Sequence, residues 1–478
     1  VLVATSSGRF WGLTLALLAL VALAIRVNNA FFYPLHFGFD APANWEYIER
    51  LLTSWKLPAP DAGWSTAHPP FFYYLSASLG RAMGGSGVQA ITVAVRLLSS
   101  IVGMAGVACA VAWVWRIDRE NGPRIVMAAA LLLFMPAHIY MSAMLGEEIL
   151  SGALISAVLY GVAVDLTREP EQRFSLLATA GLGVLAGLAF LTKLTGLLVV
   201  AAAGFAYLVD ALRRRDLTHV IPKVLVFALV AGVIGGWPYV LNRVEYGYFY
   251  PQNLMVHELM FTMPPGERGL MDYLTFPLAT FFEPNVLAPD LLHSVWGTTY
   301  TTLWFDGHRV ILPRIDLYVS YFGSWLLALG LLPTLAFIVG CGRGLRRAVR
   351  EPGGPDTLFL TIIALTVAGY VLFTWQNPWY ATLKASYMLG IAVPFAAYST
   401  EVLCSWMRST RLAQVAVAIP LIVLLSGSAL AFTVNLVFEK REGPGFFWPK
   451  VDPSRHYELA TKAAAEAQDR KQAAQESE

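Results

Sequence analysis

Asp40, Glu147, Glu148, Lys193, Lys384 and Tyr387 stand at the ends of long apolar runs, where ionisable side chains are costly unless they do something. Asp40 directly follows the first run. A carboxylate near a bilayer surface, beside aromatic rings, can take the proton of an attacking hydroxyl. An Asp just ahead of an amphipathic stretch also suits a helix N-cap. One residue can serve both ends, because capping uses one oxygen. Glu147 and Glu148 open another run, as a second acid or as negative charge favourably placed at a helix N-terminus. Neighbours on a helix diverge by about 100°, so one of the two is expected to face a cavity and the other to be structural. Lys193, Lys384 and Tyr387 could each hold a lipid phosphate by a charge-assisted bond; snorkelling to headgroups is the plainer role for the lysines. Arg96 lies inside an apolar run and should turn to the bundle interior, toward an acid or a phosphate.

His68 precedes Pro69 and Pro70 and the aromatic run Phe71, Phe72, Tyr73 and Tyr74. His68, His257, His293 and His308 are never at i, i+4 spacing to another ligand, so no metal signature is present. A divalent cation held by His68 with the acids is the one cofactor these residues leave open. Walker, GxSxG and paired CxxC motifs are absent, and Cys109, Cys341 and Cys404 fit no metal or disulfide framework.

These residues must be positioned by membrane helices. Of the 478 residues 56% are apolar and 14% charged, against roughly 25% charged in soluble domains. Apolar run length predicts an all-α polytopic membrane protein with about eleven transmembrane helices. They centre in 9–28, 88–115, 124–142, 147–165, 174–192, 194–212, 220–242, 317–340, 357–375, 384–403 and 412–436. The run 174–212 is too long for one span, so a tight re-entrant hairpin is expected at Lys193. The sequence begins at Val1 rather than Met, and its first run reads as a retained signal anchor.

Charge then sets the sidedness. Arg116, Arg119 and Arg124 follow the second run, Arg168 and Arg173 the fourth, and Arg213, Arg214, Arg215 and Lys223 the sixth. Arg343, Arg346, Arg347 and Arg350 follow the eighth, and Arg408 and Arg411 the tenth. The positive-inside rule puts these short loops in the cytoplasm. The N-terminus is then inside, the C-terminus outside, and the chemistry-bearing residues all face outward. No cytoplasmic loop is long enough for a nucleotide-binding domain, which leaves no seat for a nucleotide-sugar or ATP.

The organisation expected is an N-terminal transmembrane module (1–242) with a catalytic first outer loop (29–87), a large outer loop or lid (243–316), C-terminal helices (317–436) and an outer polar tail (437–478). Within the first loop Trp45, Ile48, Leu52 and Trp55 predict an interfacial helix started by Asp40 or Asn44 and broken by Pro58, Pro60 and Gly63. Pro69 and Pro70 suit the first turn of a second one. The large loop carries His257, Glu258, Glu267, Arg268 and Glu283, then Trp296, Trp304, Asp306, His308 and Arg309; short surface helices are expected there. Phe446, Phe447, Trp448 and Pro449 suit contact with the membrane surface.

In order along the chain, several stretches resemble a known family: Phe39-Asp40, the segment from His68 to Tyr74, Arg96-Leu97-Leu98, Glu147-Glu148-Ile149-Leu150, the run from Gly187 to Lys193, Trp237 to Asn242 with Tyr246-Gly247, and Lys384-Ala385-Ser386-Tyr387. Together they resemble the GT-C superfamily of polyprenyl-phosphate-sugar-dependent glycosyltransferases, in the branch of the protein O-mannosyltransferases and the lipid A aminoarabinose transferase. The chain departs from it at Asp40-Ala41, where mannosyltransferases have Asp-Glu, and at Ala67-His68, where the lipid A enzymes have Glu-Lys.

The resemblance implies an inverting glycosyltransferase of the plasma (inner) membrane, working on its outer, periplasmic side. Asp40 would be the general base and Glu148, ahead of Glu147, the second acid. Arg96, Lys193, Lys384 and Tyr387 would hold the donor phosphate, and His68, Tyr73 and Tyr74 would contact substrate. The partners implied are a polyprenyl-phosphate-linked hexose or pentose, an acceptor that is lipid, glycan or protein, and membrane lipids, with no nucleic acid. The alternative is a lipid transporter or flippase with intramembrane Arg and Lys lining a path; no inverted repeat of span lengths supports it.

Overall fold

The computed structural model describes residues 2–35, 37–250, 268–312 and 317–439, and among these there is helix but no strand. His257, Glu258 and Glu267, the aromatic stretch 446–449 and nearly all of the polar tail lie outside the described residues. The first ten helices are α1 (Leu2–Phe32), α2 (Ala41–Ser54), α3 (Phe71–Ala82), α4 (Val88–Ile117), α5 (Gly122–Leu133), α6 (Pro136–Ala143), α7 (Glu148–Leu166), α8 (Leu176–Thr192), α9 (Gly196–Arg214) and α10 (Leu217–Tyr246). The further helices of eight residues or more are α11 (Val295–Trp304), α12 (Leu317–Arg350), α13 (Pro355–Gln376), α14 (Ala392–Met407) and α15 (Arg411–Ala431).

Every predicted apolar run is helical, and the chain is an all-α polytopic membrane protein. Among the described residues nine helices are long and apolar enough to cross a membrane, ten if α5 and α6 count as one broken span. That pair bends by 46°, where Pro136 cannot donate to the preceding turn. The α8 helix has 17 residues, about 25 Å of rise against ~30 Å of hydrocarbon, so the expected eleven spans are not reached.

Helix position in the bundle follows from which faces find partners. The best apolar stretch of α1 is only 11% buried, and Leu13, Leu17 and Leu20 face the lipid. The corresponding stretch of α7 is 83% buried, as an all-round apolar helix in a core should be. It can sit there because α4 approaches closely: a Cβ on Gly106 would lie 2.7 Å from Ala153 Cα.

The two helices of the first outer loop form as predicted, but α2 is rotated. Asn44, Tyr47, Ile48 and Leu51 form its buried face, against Phe72, Tyr73 and Ala77 of α3. Trp45 and Leu52 lie at the edge of that face, and Trp55 lies outside it beneath the Arg81 guanidinium. Part of the second outer loop is not on the surface: Thr298, Thr301 and Trp304 of α11 are fully buried. Asp306 fixes the following turn by accepting the backbone N–H groups of Val310, Ile311 and Leu312 at 2.9, 2.7 and 2.9 Å.

The loops segregate to two ends. Along α7, Glu148 and Asp165 are separated by about 25 Å of helix. At the Asp165 end a buried network joins three helices, α7, α9 and α10, and the loop before α8. Asp165 accepts from Phe174 N and Tyr207 Oη, with Lys223 Nζ 3.6 Å away, and Asp210 takes Arg173 at 2.5 Å and Arg214 at 2.9 Å. Nearby, Arg213 donates to the Pro352 carbonyl, and Arg347 bridges Asp356 and Glu401. These residues belong to the basic loops; Asp40, His68, Glu147, Lys193 and Lys384 gather at the other end.

Candidate active site

The site begins at a strained turn. Gly38 has φ of +113°, and a Cβ there would lie 2.7 Å from Met144 Cγ. Asp40 follows with φ 54° and ψ 12°, a left-handed conformation that Asp tolerates better than most residues. Asp40 stands at the N-cap position of α2, and its carbonyl accepts Asn44 N–H. Its carboxylate makes no capping bond, so of the two roles open from the sequence capping is not used. Oδ1 accepts from Trp64 Nε1 at 3.1 Å and Oδ2 from Lys384 Nζ at 3.4 Å.

Asn44, one turn into α2, ties this end together. Its Nδ2 donates to the Leu145 carbonyl at 2.8 Å, and its Oδ1 accepts from Tyr73 Oη at 2.8 Å. Tyr73 spends its proton on Asn44, so in its 3.1 Å contact with His68 Nδ1 the phenol oxygen accepts. The Nδ1 proton of His68 is thereby assigned and directed at Tyr73, with Glu147 Oε1 3.6 Å from the same nitrogen.

Both glutamates face one point, contrary to expectation. Lys193 Nζ is 2.9 Å from Glu147 Oε1 and 3.2 Å from Glu148 Oε1. Glu147 is the residue before α7 and still belongs to the turn, so the divergence of helical neighbours does not apply. Glu147 is 3% exposed, and a charge buried that far must be paired. Burial pushes its carboxyl up, but Lys193 and then His68 outweigh burial and hold it down to about 2. Burial disfavours the Lys193 ammonium, while Glu147 and Glu148 more than restore it and raise it well above the usual lysine range. Lys193 is in the expected hairpin, between the end of α8 and the start of α9, closed by Gly196 N–H to its carbonyl.

Lys384 precedes a 3-10 stretch, Ala385–Ile391, anchored by Ala385 N–H to Thr302 Oγ1 of α11. Its ammonium lies 4.4 Å from the ring centre of Phe39 and 6.0 Å from that of Tyr387; Lys193 is 5.2 Å from Tyr387. One aromatic ring, that of Tyr387, is thus shared by two cations. His308 packs edge-on against Phe39 at 5.2 Å, and burial first, then Lys384, push it down to about 3, so it is neutral.

A small crevice, of about 20 Å³, lies beside this cluster between α7, α9, α13 and the 385–391 stretch. Glu148, Lys193, Tyr387, Ser151 and Ser386 line it, and both serine hydroxyls are buried with no hydrogen-bond partner among the described residues. Its other walls mix Thr195 and Thr366 with Ile155, Leu198, Ile362 and Leu389.

The expected set is therefore brought together at Asp40, His68, Tyr73, Glu147, Glu148, Lys193, Lys384 and Tyr387. Arg96 is not among them. Its guanidinium is fully buried and donates to the carbonyls of Tyr33 and Pro34 at 2.7 and 2.8 Å, with Ala30 O at 3.5 Å. Those carbonyls lie at the C-terminal end of α1 and just beyond, where a cation is favoured; Arg96 holds the turn that leads to Asp40. Tyr74 points elsewhere too, edge-on to Trp55. Among the described residues no three His, Cys, Asp or Glu side chains come together to hold a metal ion; the carboxylates take lysines instead. The sequence reading missed Trp64 and the hub role of Asn44. Trp64 sits in a Pro-rich loop with nothing to tie it to Asp40, while Asn44 could be read only as a helix start.

Residues 67–237 match the family model described as dolichyl-phosphate-mannose-protein mannosyltransferase. No curated protein matches. Among solved structures, the chain is similar to the apo oligosaccharyltransferase of Archaeoglobus fulgidus, at 14% identity over 91% of this chain and 56% of that one, with a TM-score of 0.51. The same archaeal enzyme in complex with an inhibitory peptide and a dolichol-phosphate matches at 13% identity, 91% and 56% coverage, and 0.50. ArnT from Cupriavidus metallidurans in the apo state matches at 14% identity, 83% and 80% coverage, and 0.40. The chain spans just over half the length of the oligosaccharyltransferase. The fold is of the GT-C type, as the sequence resemblance implies.

Proposed function

We propose that the chain is an inverting membrane glycosyltransferase that moves a sugar from a polyprenyl-phosphate donor to an acceptor hydroxyl. The observation that carries this reading is the sharing of Lys384 between Asp40 and the cluster around Tyr387 and Lys193, whose Lys193 and Tyr387 line the neighbouring crevice. Asp40 is the general base. It takes the acceptor proton as the acceptor oxygen attacks the anomeric carbon, and the bond from that carbon to the phosphate oxygen breaks. Polyprenyl phosphate leaves with one more negative charge. Lys384 and Lys193 receive that charge, helped by Tyr387 and the free hydroxyls of Ser151 and Ser386, in a water-poor site where such contacts are strong.

The pair at 3.4 Å suggests an order of events. An arriving phosphate competes with Asp40 for Lys384, and Asp40 Oδ2, released from the ammonium, becomes the better base. Glu147 and Glu148 position Lys193, and Glu148 at the crevice orients the sugar. By the distribution of basic loops this end faces the outside of the plasma membrane, with the N-terminus in the cytoplasm.

The test is sugar transfer from a radiolabelled polyprenyl-phosphate donor by purified protein in nanodiscs. Wild type should consume the donor, and Asp40→Asn should lose at least ~100-fold. Full activity in that variant would remove Asp40 as base. Lipid movement in liposomes without donor consumption would make the chain a transporter. Cysteine placed at residue 148 and labelled only from the cytoplasmic side would reverse the sidedness.

A further inference from the structure

The 3.4 Å contact between Asp40 and Lys384 depends on two backbones that are braced separately. The Asp40 turn rests on the end of α6, where Met144 packs against Gly38 and the Leu145 carbonyl takes Asn44 Nδ2. Lys384 is braced by Thr302 of α11, a residue without charge and 1% exposed.

Thr302 uses both its carbonyl and its hydroxyl. The last four carbonyls of a helix find no partner within it. Thr302 lies two residues before the end of α11, and its carbonyl accepts from Tyr140 Oη of α6. The first N–H groups of a helix are orphans in the same way. Ala385 opens the 385–391 stretch, and its N–H donates to Thr302 Oγ1 at 2.9 Å. The hydroxyl proton of Thr302 is shared between the carbonyls of Thr299 and Thr298, at 2.9 and 3.1 Å. That leaves the oxygen as an acceptor, aimed at Ala385. Tyr140, Thr302 and Ala385 are all buried, so a bond lost here is not replaced by water and costs more than one at the surface.

Thr299, one turn earlier in α11, meets Tyr370 Oη at 2.7 Å, and the Tyr370 ring lies 5.8 Å from that of Tyr387. The threonine face of α11 therefore supports both Lys384 and Tyr387. The α6 helix is the common reference. Tyr140 reaches Lys384 through Thr302, while Met144 and Leu145, about one turn further on, reach the Asp40 turn.

Resting on the transferase reading, we infer that Thr302 is a positioning residue, which sets Lys384 at the distance from Asp40 where an arriving phosphate can take the ammonium. Thr302 acts through Lys384 and touches no substrate. A misplacement of about 1 Å can cost on the order of 100-fold in rate.

The test uses full-length protein in nanodiscs and reads undecaprenyl phosphate affinity and sugar transfer. Thr302→Val keeps the shape and removes the acceptor; Thr302→Ser keeps the hydroxyl. Thr302→Val should weaken undecaprenyl phosphate binding about threefold or more and lower kcat about tenfold or more. Thr302→Ser should match wild type in both. In the Lys384→Met background Thr302→Val should change neither readout further, because nothing is left for it to place. Tyr140→Phe keeps its ring and loses the bond to the Thr302 carbonyl; it should lower kcat in the same way, and it carries the test if Thr302→Val does not fold. Wild-type affinity and kcat in folded Thr302→Val, or an equal further loss in the Lys384→Met background, would overturn the assignment and leave the transferase reading standing. Wild-type protein that neither binds undecaprenyl phosphate nor transfers sugar would overturn the transferase reading and this inference with it.

Discussion

Lys384 holds Asp40 across 344 residues of sequence, its ammonium 3.4 Å from Oδ2. The contact joins the start of α2 to the 3-10 stretch that precedes α14, and Phe39 and Tyr387 both lie close to the ammonium. Lys384→Met should therefore affect two steps. Undecaprenyl phosphate binding should weaken about tenfold, for loss of roughly one charge-assisted contact. Transfer should fall further than binding. A double-mutant cycle with Asp40→Asn should show coupling on the order of 0.5–3 kcal/mol; simple additivity would mean that the pair does not act as one.

Glu147 makes acid stability depend on Lys193. Its folded carboxyl is held at about 2, below the ordinary 4.5. A depressed carboxylate contributes stability that is complete above about 4.5 and is lost as pH falls toward about 2. The contribution is on the order of 2–4 kcal/mol. Thermal unfolding of Glu147→Gln in nanodiscs should show a shallower loss between pH 4.5 and pH 2 than wild type; parallel curves would contradict the pairing.

Arg96 should behave as a structural residue. Arg96→Met leaves the carbonyls of Tyr33 and Pro34 without their buried donors, at a cost of about 2–4 kcal/mol. Its Tm should fall by several degrees, while the folded fraction binds undecaprenyl phosphate within threefold of wild type. A large loss of lipid affinity at unchanged Tm would return Arg96 to the phosphate site.

Tyr73→Phe removes the proton that Asn44 accepts and the oxygen that His68 meets. We expect a loss of about 1–2 kcal/mol and a drop in transfer of at most ~10-fold, because His68 keeps Glu147. A much larger drop would give Tyr73 a direct role in the chemistry.

At the far end Asp210→Asn uncouples Arg173 and Arg214 at once. Breaking so buried a pair should cost about 3–5 kcal/mol and reduce the yield of folded protein. Turnover per folded molecule should be unchanged, measured against active-site titration with undecaprenyl phosphate.

Much of this was legible in the chain, for reasons that differ from residue to residue. The helices could be read because lipid leaves the backbone no other partner. Pro136 marked the bend between α5 and α6, though a run-length count hides it. The gathering of Glu147, Lys193 and Lys384 at one end followed from the basic loops, which set the parity of every turn. Which acid meets which lysine did not follow, because no local pattern links residues hundreds apart. Arg96 was read correctly as interior but given the wrong sort of neighbour: an intramembrane guanidinium can satisfy itself on helix-end carbonyls, and composition does not reveal those. The two-glutamate argument failed on a boundary of one residue, since Glu147 lies just before the helix that Glu148 begins.

The left-handed turn at Asp40 also limits how the site can be re-engineered. Its backbone costs an ordinary side chain on the order of 1–2 kcal/mol, and only Asp, Asn and Gly sit there cheaply. Asn is thus the replacement that removes the charge and leaves the path of the chain alone. A Glu, chemically closer in name, would bring its carboxylate to a different point and strain the start of α2 as well. The polypeptide has narrowed the alphabet at this position before any reaction does.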